Sequence, residues 1–385
     1  MPLPVDHKAP GKESDAFIAD MPLYWCPQCL MVQTQHDVDL DAYYQDYAYV
    51  TSASAFVKQF MEKLSSEVWR RFQFRQGDAV LEIGSGDGLQ LEYFKKLGAR
   101  VLGFEPSKDL VCAAEKRGVQ TVAALFDAKT MQQIPKDFRL FQVVMTQYTF
   151  DHLPEPVQFL KNISQILDAE RGIVLIEVHD FEKMVERNEA CLFTHEHATY
   201  ATAESMAHLF EQAGMRLVAT DLISESERRG NSMLVAGVLK TSSIRPLKKF
   251  GTPLLEKLRH SEAYRQFAEN ISRSHARLLE HIRQVKQAGK KVAGYGGAGR
   301  GVNTIAIAGI TVDELVCVYD QNPKLQGLLM PGSNIPVRDP KELFEHFVDE
   351  VIVFNYGYLN EIREFLKPYL AKGGKVTSML EYLKL

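Results

Sequence analysis

Four short apolar runs punctuate the middle of the chain. They are AVLEIG (79–84), RVLGFEP (100–106), FQVVMTQ (141–147) and GIVLIEV (172–178), each rich in Val, Ile, Leu or Phe. Runs of this length between polar stretches predict buried strands. Amphipathic segments such as LQLEYFKKLG (89–98) and PVQFLKNISQILD (156–168) lie between them with helical spacing. AESMAHLFEQAG (203–214) predicts a helix stopped by Gly214, and two strand-like runs follow, MRLVATDLI (215–223) and SMLVAGVL (232–239). Strands alternating with helices predict a mostly parallel sheet covered by helices on both faces.

TSSIRPLKKFGT (241–252) predicts a linker, and residues 255–288 carry one long helical periodicity. A second strand–helix series begins at KVAGYGGAGRG (291–301) and continues through ELVCVYD (314–320), EVIVFN (350–355) and LNEIREFLKPYL (359–370). Residues 1–20 predict a loose polar tail. Residues 21–60 are rich in Tyr and Cys and show no α/β unit. The expected organisation is a small module over 1–60, one doubly wound α/β domain over 61–245, and a second over 246–385. The two domains share an architecture but no sequence repeat.

A chain of 385 residues suits two to three domains. With 45% hydrophobic and 24% charged residues it has a globular composition. A formal net charge of −4 gives no general drive toward nucleic acid or anionic membranes. No apolar run reaches bilayer length, and the N-terminus lacks a leader pattern. The five cysteines are scattered apart from Cys26 and Cys29, which suits a reducing compartment. The composition thus predicts a cytoplasmic protein with no nucleic-acid or membrane partner, and a monomer or homodimer is the expected state.

LEIGSGDG (81–88) follows a predicted strand and opens a predicted helix. Gly84, Gly86 and Gly88 let the backbone turn sharply and approach a ligand. Glu105 ends the next strand, where an acid accepts hydrogen bonds from a ribose diol. Glu82 would repel a pyrophosphate but suits a ligand with a cationic amino-acid tail, namely S-adenosylmethionine.

Three further features carry candidate chemistry. THEHATYAT (194–202) sets His195, Glu196 and His197 side by side. Adjacent placement is not the i, i+4 spacing of a zinc protease, which argues against a catalytic metal. On an extended segment both histidines face one side, and if the segment turns only one does. Acid–base work and a polar loop satisfying its own backbone both remain open. Cys26-Pro-Gln-Cys29 has the spacing of half a zinc site, and His7 and His36 are the nearby substitutes for missing ligands. Bound zinc and a metal-free pair both stay open. GYGGAG (294–299), with Asp320 at the end of the following strand, satisfies a dinucleotide fingerprint. It admits a nicotinamide-dependent sugar oxidoreductase, or a degenerate Rossmann domain that only packs.

EIGSGDG with GFEPS resembles motifs I and II of class I S-adenosylmethionine-dependent methyltransferases. The two late strands resemble that fold's closing antiparallel hairpin. MTQYTFDHLPEP (145–156) resembles the segment after its fourth strand, which lines the methyl-transfer site. The likeness then widens. CPQC, YAYVTSASA, THEHATYAT, GYGGAGRGVNTIAIAGI and VYDQNPKLQGLLMPGSNIPV together resemble the three-domain sugar C-methyltransferases that act on dTDP-4-keto-deoxysugars. This covers about residue 21 to the end. It implies a class I methyltransferase Rossmann-like domain, a second C-terminal Rossmann-like α/β domain, and a small N-terminal zinc-binding-like module.

The resemblance implies His197 as general base, with Glu196, His152 and Tyr49 as its catalytic company. It places Glu82, Gly84, Ser85, Gly86, Glu105, Pro106, Asp127 and Gln147 at the cofactor. It places Thr194, His195, Tyr200, Asn231, Tyr295, Gly296, Arg300 and Asn303 on the nucleotide-sugar side. Any zinc would sit on Cys26 and Cys29. The chain departs from the family where a tyrosine becomes Thr194, a His-Gly-Gly-Ser run becomes Arg229-Gly230-Asn231-Ser232, a lysine becomes Arg300 and a threonine becomes Asn303. A 4-keto group acidifies the neighbouring C–H, so a positioned base must remove that proton before carbon can accept a methyl. Transfer to oxygen or nitrogen of another small molecule is the alternative.

Overall fold

The computed structural model describes residues 1–12, 16–34, 54–228, 230–247 and 253–385. Two compact units divide the chain. One comprises Tyr24–Phe181 and Glu196–Glu256. The other comprises Met1–Leu23, Glu182–His195 and Lys257–Leu385.

In chain order the strands are β1 (Leu23–Trp25), β2 (Val32–Thr34), β3 (Ala79–Ile83), β4 (Arg100–Phe104), β5 (Gln120–Val122), β6 (Val143–Gln147), β7 (Ile173–Val178), β8 (Thr199–Tyr200), β9 (Met215–Thr220) and β10 (Met233–Leu239). They continue as β11 (Val292–Tyr295), β12 (Val318–Tyr319), β13 (Val337–Arg338), β14 (Glu350–Val353) and β15 (Lys375–Ser378).

The large sheet runs β5-β4-β3-β6-β7-β10-β9. β3 to β7 pair in parallel, while β10 runs antiparallel to both β7 and β9. That is the class I methyltransferase topology, closing hairpin included. Its central strands are buried along their length, as parallel strands covered on both faces must be. Phe104, Phe126, Phe150 and Phe159 join the core beside them, with Phe126 edge-on to Phe159 at 5.6 Å. The helix Ala203–Gln212 starts at a capping box between Thr202 and Ser205. Phe210 from this helix presses on β10 where the strand carries Gly237. A Cβ there would lie 2.4 Å from the Phe210 ring.

A small sheet, β1-β2-β8, pairs Val32 with Tyr200. It holds the chain just after His197. Thr34 donates its amide to Ala198 O at 3.1 Å and its hydroxyl to His197 O.

The second unit has a five-stranded parallel sheet, β13-β12-β11-β14-β15. The 27-residue helix Ser261–Gln287 accounts for the long periodicity seen in the sequence. Asn303 donates to the carbonyls of Cys191 and Phe193 at 3.0 and 2.8 Å, and Asn188 donates to Leu383 O at 2.9 Å. These bonds explain why Glu182–His195 belongs to this unit although it follows β7 directly.

The expected loose tail is not loose. Lys8 and Leu329 exchange backbone hydrogen bonds at 3.2 and 2.8 Å, and Pro2 bridges Ile18. Residues around Leu329 have backbone groups unused by the sheet, and the N-terminal segment satisfies them. Polar composition could not show this pairing. Among the described residues no helix is long and apolar enough to cross a membrane.

Gly237→Ala should destabilise the unit built on the seven-stranded sheet by about 1–3 kcal/mol, because the added methyl must displace the packed Phe210 ring. Denaturant unfolding monitored by fluorescence would measure it. Wild-type stability in the variant would refute the packing argument.

Candidate active site

The first glycine loop joins β3 to the helix Leu89–Lys96. Gly84, Gly86 and Gly88 have φ of +72°, +53° and +75°, a region side chains disfavour. A Cβ on Gly84 would stand 2.3 Å from Thr149 Oγ1. Glu105, at the end of β4, accepts from Gly86 N and Ser107 N at 2.9 Å each, one bond to each carboxylate oxygen. Burial pushes its carboxyl above the usual range, against those two N–H donors. Each oxygen keeps lone-pair capacity for a ribose hydroxyl.

Glu82 is buried on β3 between Gly103 and Met145 of the neighbouring strands. Ser85 packs on Gly103, and its buried hydroxyl has no protein partner among the described residues. Gln147 donates to Gln90 at 2.9 Å, and Pro106 is half-buried beside Glu105. Asp127 is exposed. Its carboxylate holds its own turn through Lys129 N and Thr130 N, which lower its pKa. A backbone cradle, an acid at the ribose position and an orphaned hydroxyl fit S-adenosylmethionine.

Beyond β6 the chain makes a tight turn. Tyr148 has φ of +50°, a strained value for a tyrosine, and Phe150–His152 forms a 3-10 turn. Asp151 Oδ2 accepts from His179 Nδ1 at 2.7 Å and from His179 N at 3.2 Å, which joins this turn to the end of β7. Ala198 N donates to Asp151 O at 2.7 Å and so draws in the segment carrying His197. His197 lies edge-on to His152 at 4.7 Å, 5.1 Å from His179 and 5.7 Å from Tyr200 between ring centroids.

One atom each from Asp151, His179 and His197 lies within 4.8 Å of the others. Two ligands of one zinc ion stand about 3 Å apart or more, so the 2.7 Å contact is a hydrogen bond. Burial, then the neighbouring His197, pushes the His152 pKa down to about 3. Burial pushes Asp151 upward against the pull of His197 and His152. Glu196 is buried in the same unit.

The histidine run is not extended. His195 and Glu196 form a turn, so the alternation that would align both histidines is broken. His195 belongs to the C-terminal unit, where Nε2 meets Met1 O at 2.9 Å and Phe17 lies edge-on at 5.3 Å. Thr194 is buried in that unit too. Asn231 is fully buried and accepts from Asp180 N at 3.0 Å. Tyr49, His36 and Arg229 lie outside the described residues.

In the C-terminal unit, β11 leads through Gly294–Gly299 into the helix Gly299–Ala308. Gly296 has φ of +97° and sits against Asn355, where a Cβ would come within 2.9 Å. Asp320 accepts from Gly297 N at 2.7 Å and Asn322 N at 2.8 Å. His7 Nε2 meets Gly297 O at 2.7 Å. Tyr295 is buried, and the Arg300 guanidinium lies 5.1 Å over the Tyr356 ring.

Cys26 and Cys29 share one turn and hydrogen-bond to each other. Backbone N–H groups lower the Cys26 pKa, and burial raises that of Cys29. Among the described residues no third His, Cys, Asp or Glu joins them within ligand distance, and His36 lies outside the described residues.

Comparison with known proteins agrees with both units. The sequence pattern of the methyltransferase domain matches residues 55–220, and that of the C-methyltransferase C-terminal domain matches 254–380. C-methyltransferase NovU of Streptomyces niveus is 30% identical over 372 residues, covering 95% of this chain and 88% of NovU. The chain belongs to this C-methyltransferase family.

Other likenesses are partial. A ubiquinone biosynthesis O-methyltransferase of Coxiella burnetii (strain RSA 331) is 23% identical over 160 residues, 37% of this chain and 65% of its own. Magnesium protoporphyrin IX methyltransferase from Synechocystis, solved with S-adenosylmethionine, superposes with a TM-score of 0.39 and 13% identity. That match covers 54% of this chain and 100% of its own.

This C-methyltransferase uses S-adenosylmethionine, and its acceptor atom is carbon. The second glycine loop lies inside the matched C-terminal domain, which leaves the oxidoreductase reading without support. Sequence reasoning passed over Asp151 and His179. Both follow the C-terminal ends of parallel strands, where ligand crevices form in open α/β sheets, and that position could have flagged them.

Gly84→Ala should weaken S-adenosylhomocysteine binding about ten-fold or more by calorimetry, since a change of ~1.4 kcal/mol suffices. Unchanged affinity would contradict the cradle. Affinity in the wild type should also fall with acidification at a higher pH than an ordinary glutamate would produce. The raised pKa means Glu105 loses its charge early, and Glu105→Gln should flatten that limb of the binding–pH curve.

Proposed function

We propose that this C-methyltransferase methylates the carbon next to the ketone of a nucleotide-linked 4-ketosugar, with His197 as the base. The observation that carries this reading is the cluster of buried imidazoles beyond the strand ends of the cofactor-binding sheet. S-adenosylmethionine supplies an electrophilic methyl group when bound. The chain's own residues have two other tasks, which are to orient the acceptor and to take its proton.

His152 is a poor candidate for the second task. Its pKa of about 3 makes it a weak base at neutral pH. The peptide that follows His197 is held at both of its polar groups, the carbonyl by Thr34 and the Ala198 N–H by Asp151. A backbone fixed this way limits where the ring can lie before it meets the acceptor. Tyr200 stands near His197 and suits a role as donor to the developing enolate oxygen. Glu196 supports the site electrostatically. In the C-terminal unit, the glycine loop and Arg300 suit an anionic phosphate group.

A labelled-methyl assay over a panel of nucleotide 4-ketosugars tests the substrate. Deuterium uptake from heavy water, followed with S-adenosylhomocysteine bound, tests the base. Wild-type enzyme should exchange the proton next to the ketone, and His197→Ala should lose exchange and turnover by about 100-fold or more. Methylated product at full rate from His197→Ala would remove His197 from the mechanism.

A further inference from the structure

The resemblance assigns no role to Asp151 or His179, yet they form the most tightly built pair of the site. Asp151 is 2% exposed and His179 7%. One carboxylate oxygen takes both the ring Nδ1 and the backbone N–H of the same residue, at 2.7 and 3.2 Å. A carboxylate at Nδ1 fixes the ring's tautomer and orientation and leaves Nε2 as the basic nitrogen. The His179 ring faces His197 at 5.1 Å, 39° between planes, and Tyr148 at 5.1 Å.

Every element packed here contributes groups that matter electrostatically. His152 comes from the same turn as Asp151, and Tyr148 from the end of β6. Glu177 and Asp180 flank His179 on its own segment. Glu196, His197 and Tyr200 come from the stretch around β8.

We infer that Asp151 and His179 are a positioning pair that receives the proton His197 removes, holding it as a His179 imidazolium against the Asp151 carboxylate. This rests on the reading of His197 as base. The C–H bond beside the ketone breaks, its electrons enter the enolate, and the proton goes to His197. His197 passes a proton to His179 Nε2. The enolate carbon then bonds the methyl carbon as the C–S bond breaks toward sulfur, and one net proton leaves to solvent after turnover. A charge formed at His197 would otherwise sit against His152, a ring that this environment keeps neutral.

The test measures heavy-water exchange and single-turnover methyl transfer over about pH 6 to 9 in wild type, Asp151→Asn, His179→Gln and His197→Ala. Asn keeps the shape and can still accept from Nδ1–H, but it removes the charge. With S-adenosylhomocysteine binding intact, both pair variants should lose roughly 10- to 100-fold in exchange. The acid limb of Asp151→Asn should move to lower pH, because the His179 imidazole without its carboxylate is less basic. A merely structural pair would slow the reaction without moving the limb, and that result overturns the proposal. So does an unchanged rate in both variants alongside an inactive His197→Ala, which leaves the base reading standing. Full activity of His197→Ala overturns the base reading itself. If a variant loses cofactor binding, the wild-type proton spectrum decides. A far-downfield ring N–H that survives in alkaline buffer is expected, and its absence overturns the pair.

Discussion

Parallel pairing is the constraint on which the methyltransferase unit depends. When β3, β4, β6 and β7 run the same way, their C-terminal ends all open on one edge. Gly84 to Gly88, Glu105, Tyr148 to His152 and His179 all follow those ends. Residues distant in the chain, such as Gly84 and Thr149, therefore meet without any long loop to carry them. The antiparallel β10 extends the sheet from β7 and keeps that strand buried on both sides. The site is thus a consequence of strand direction more than of any single contact.

Hydrogen bonds then convert nearness into fixed geometry. Asp151 uses its side chain on His179 and its carbonyl on Ala198, so one residue joins the ends of β6 and β7 to the start of β8. Glu105 similarly braces the glycine loop against the start of the next helix. Both carboxylates are buried and both have raised pKa values, yet each keeps N–H donors that favour its charged form. Burial sharpens the contrast among the imidazoles. His152 is driven down to about 3, while His179 carries a carboxylate at Nδ1.

The C-terminal unit shows the same economy with a different purpose. Asp320 spends one oxygen on the glycine loop at Gly297 and the other on Asn322 of its own turn, and His7 caps the Gly297 carbonyl. Asn303 is fully buried and pins the turn of Ala190–Leu192 through neighbouring carbonyls. Thr194 and His195 follow that turn.

Hydrophobic periodicity alone determined the two doubly wound units, because burial on both faces of a parallel sheet demands continuous apolar runs. The glycine loop and Glu105 were also legible, since a tight turn and an acid at a strand end are local requirements. The composition of residues 1–20 hid their pairing with Leu329, and the spacing of His195 and His197 hid the turn that separates them. Neither Asp151 nor His179 stood out, for a polar residue after an apolar run looks like any loop. Only the tertiary structure decided that these two bond to each other beside His197, because register between distant strands is set by packing of the whole sheet and leaves no mark on either segment by itself.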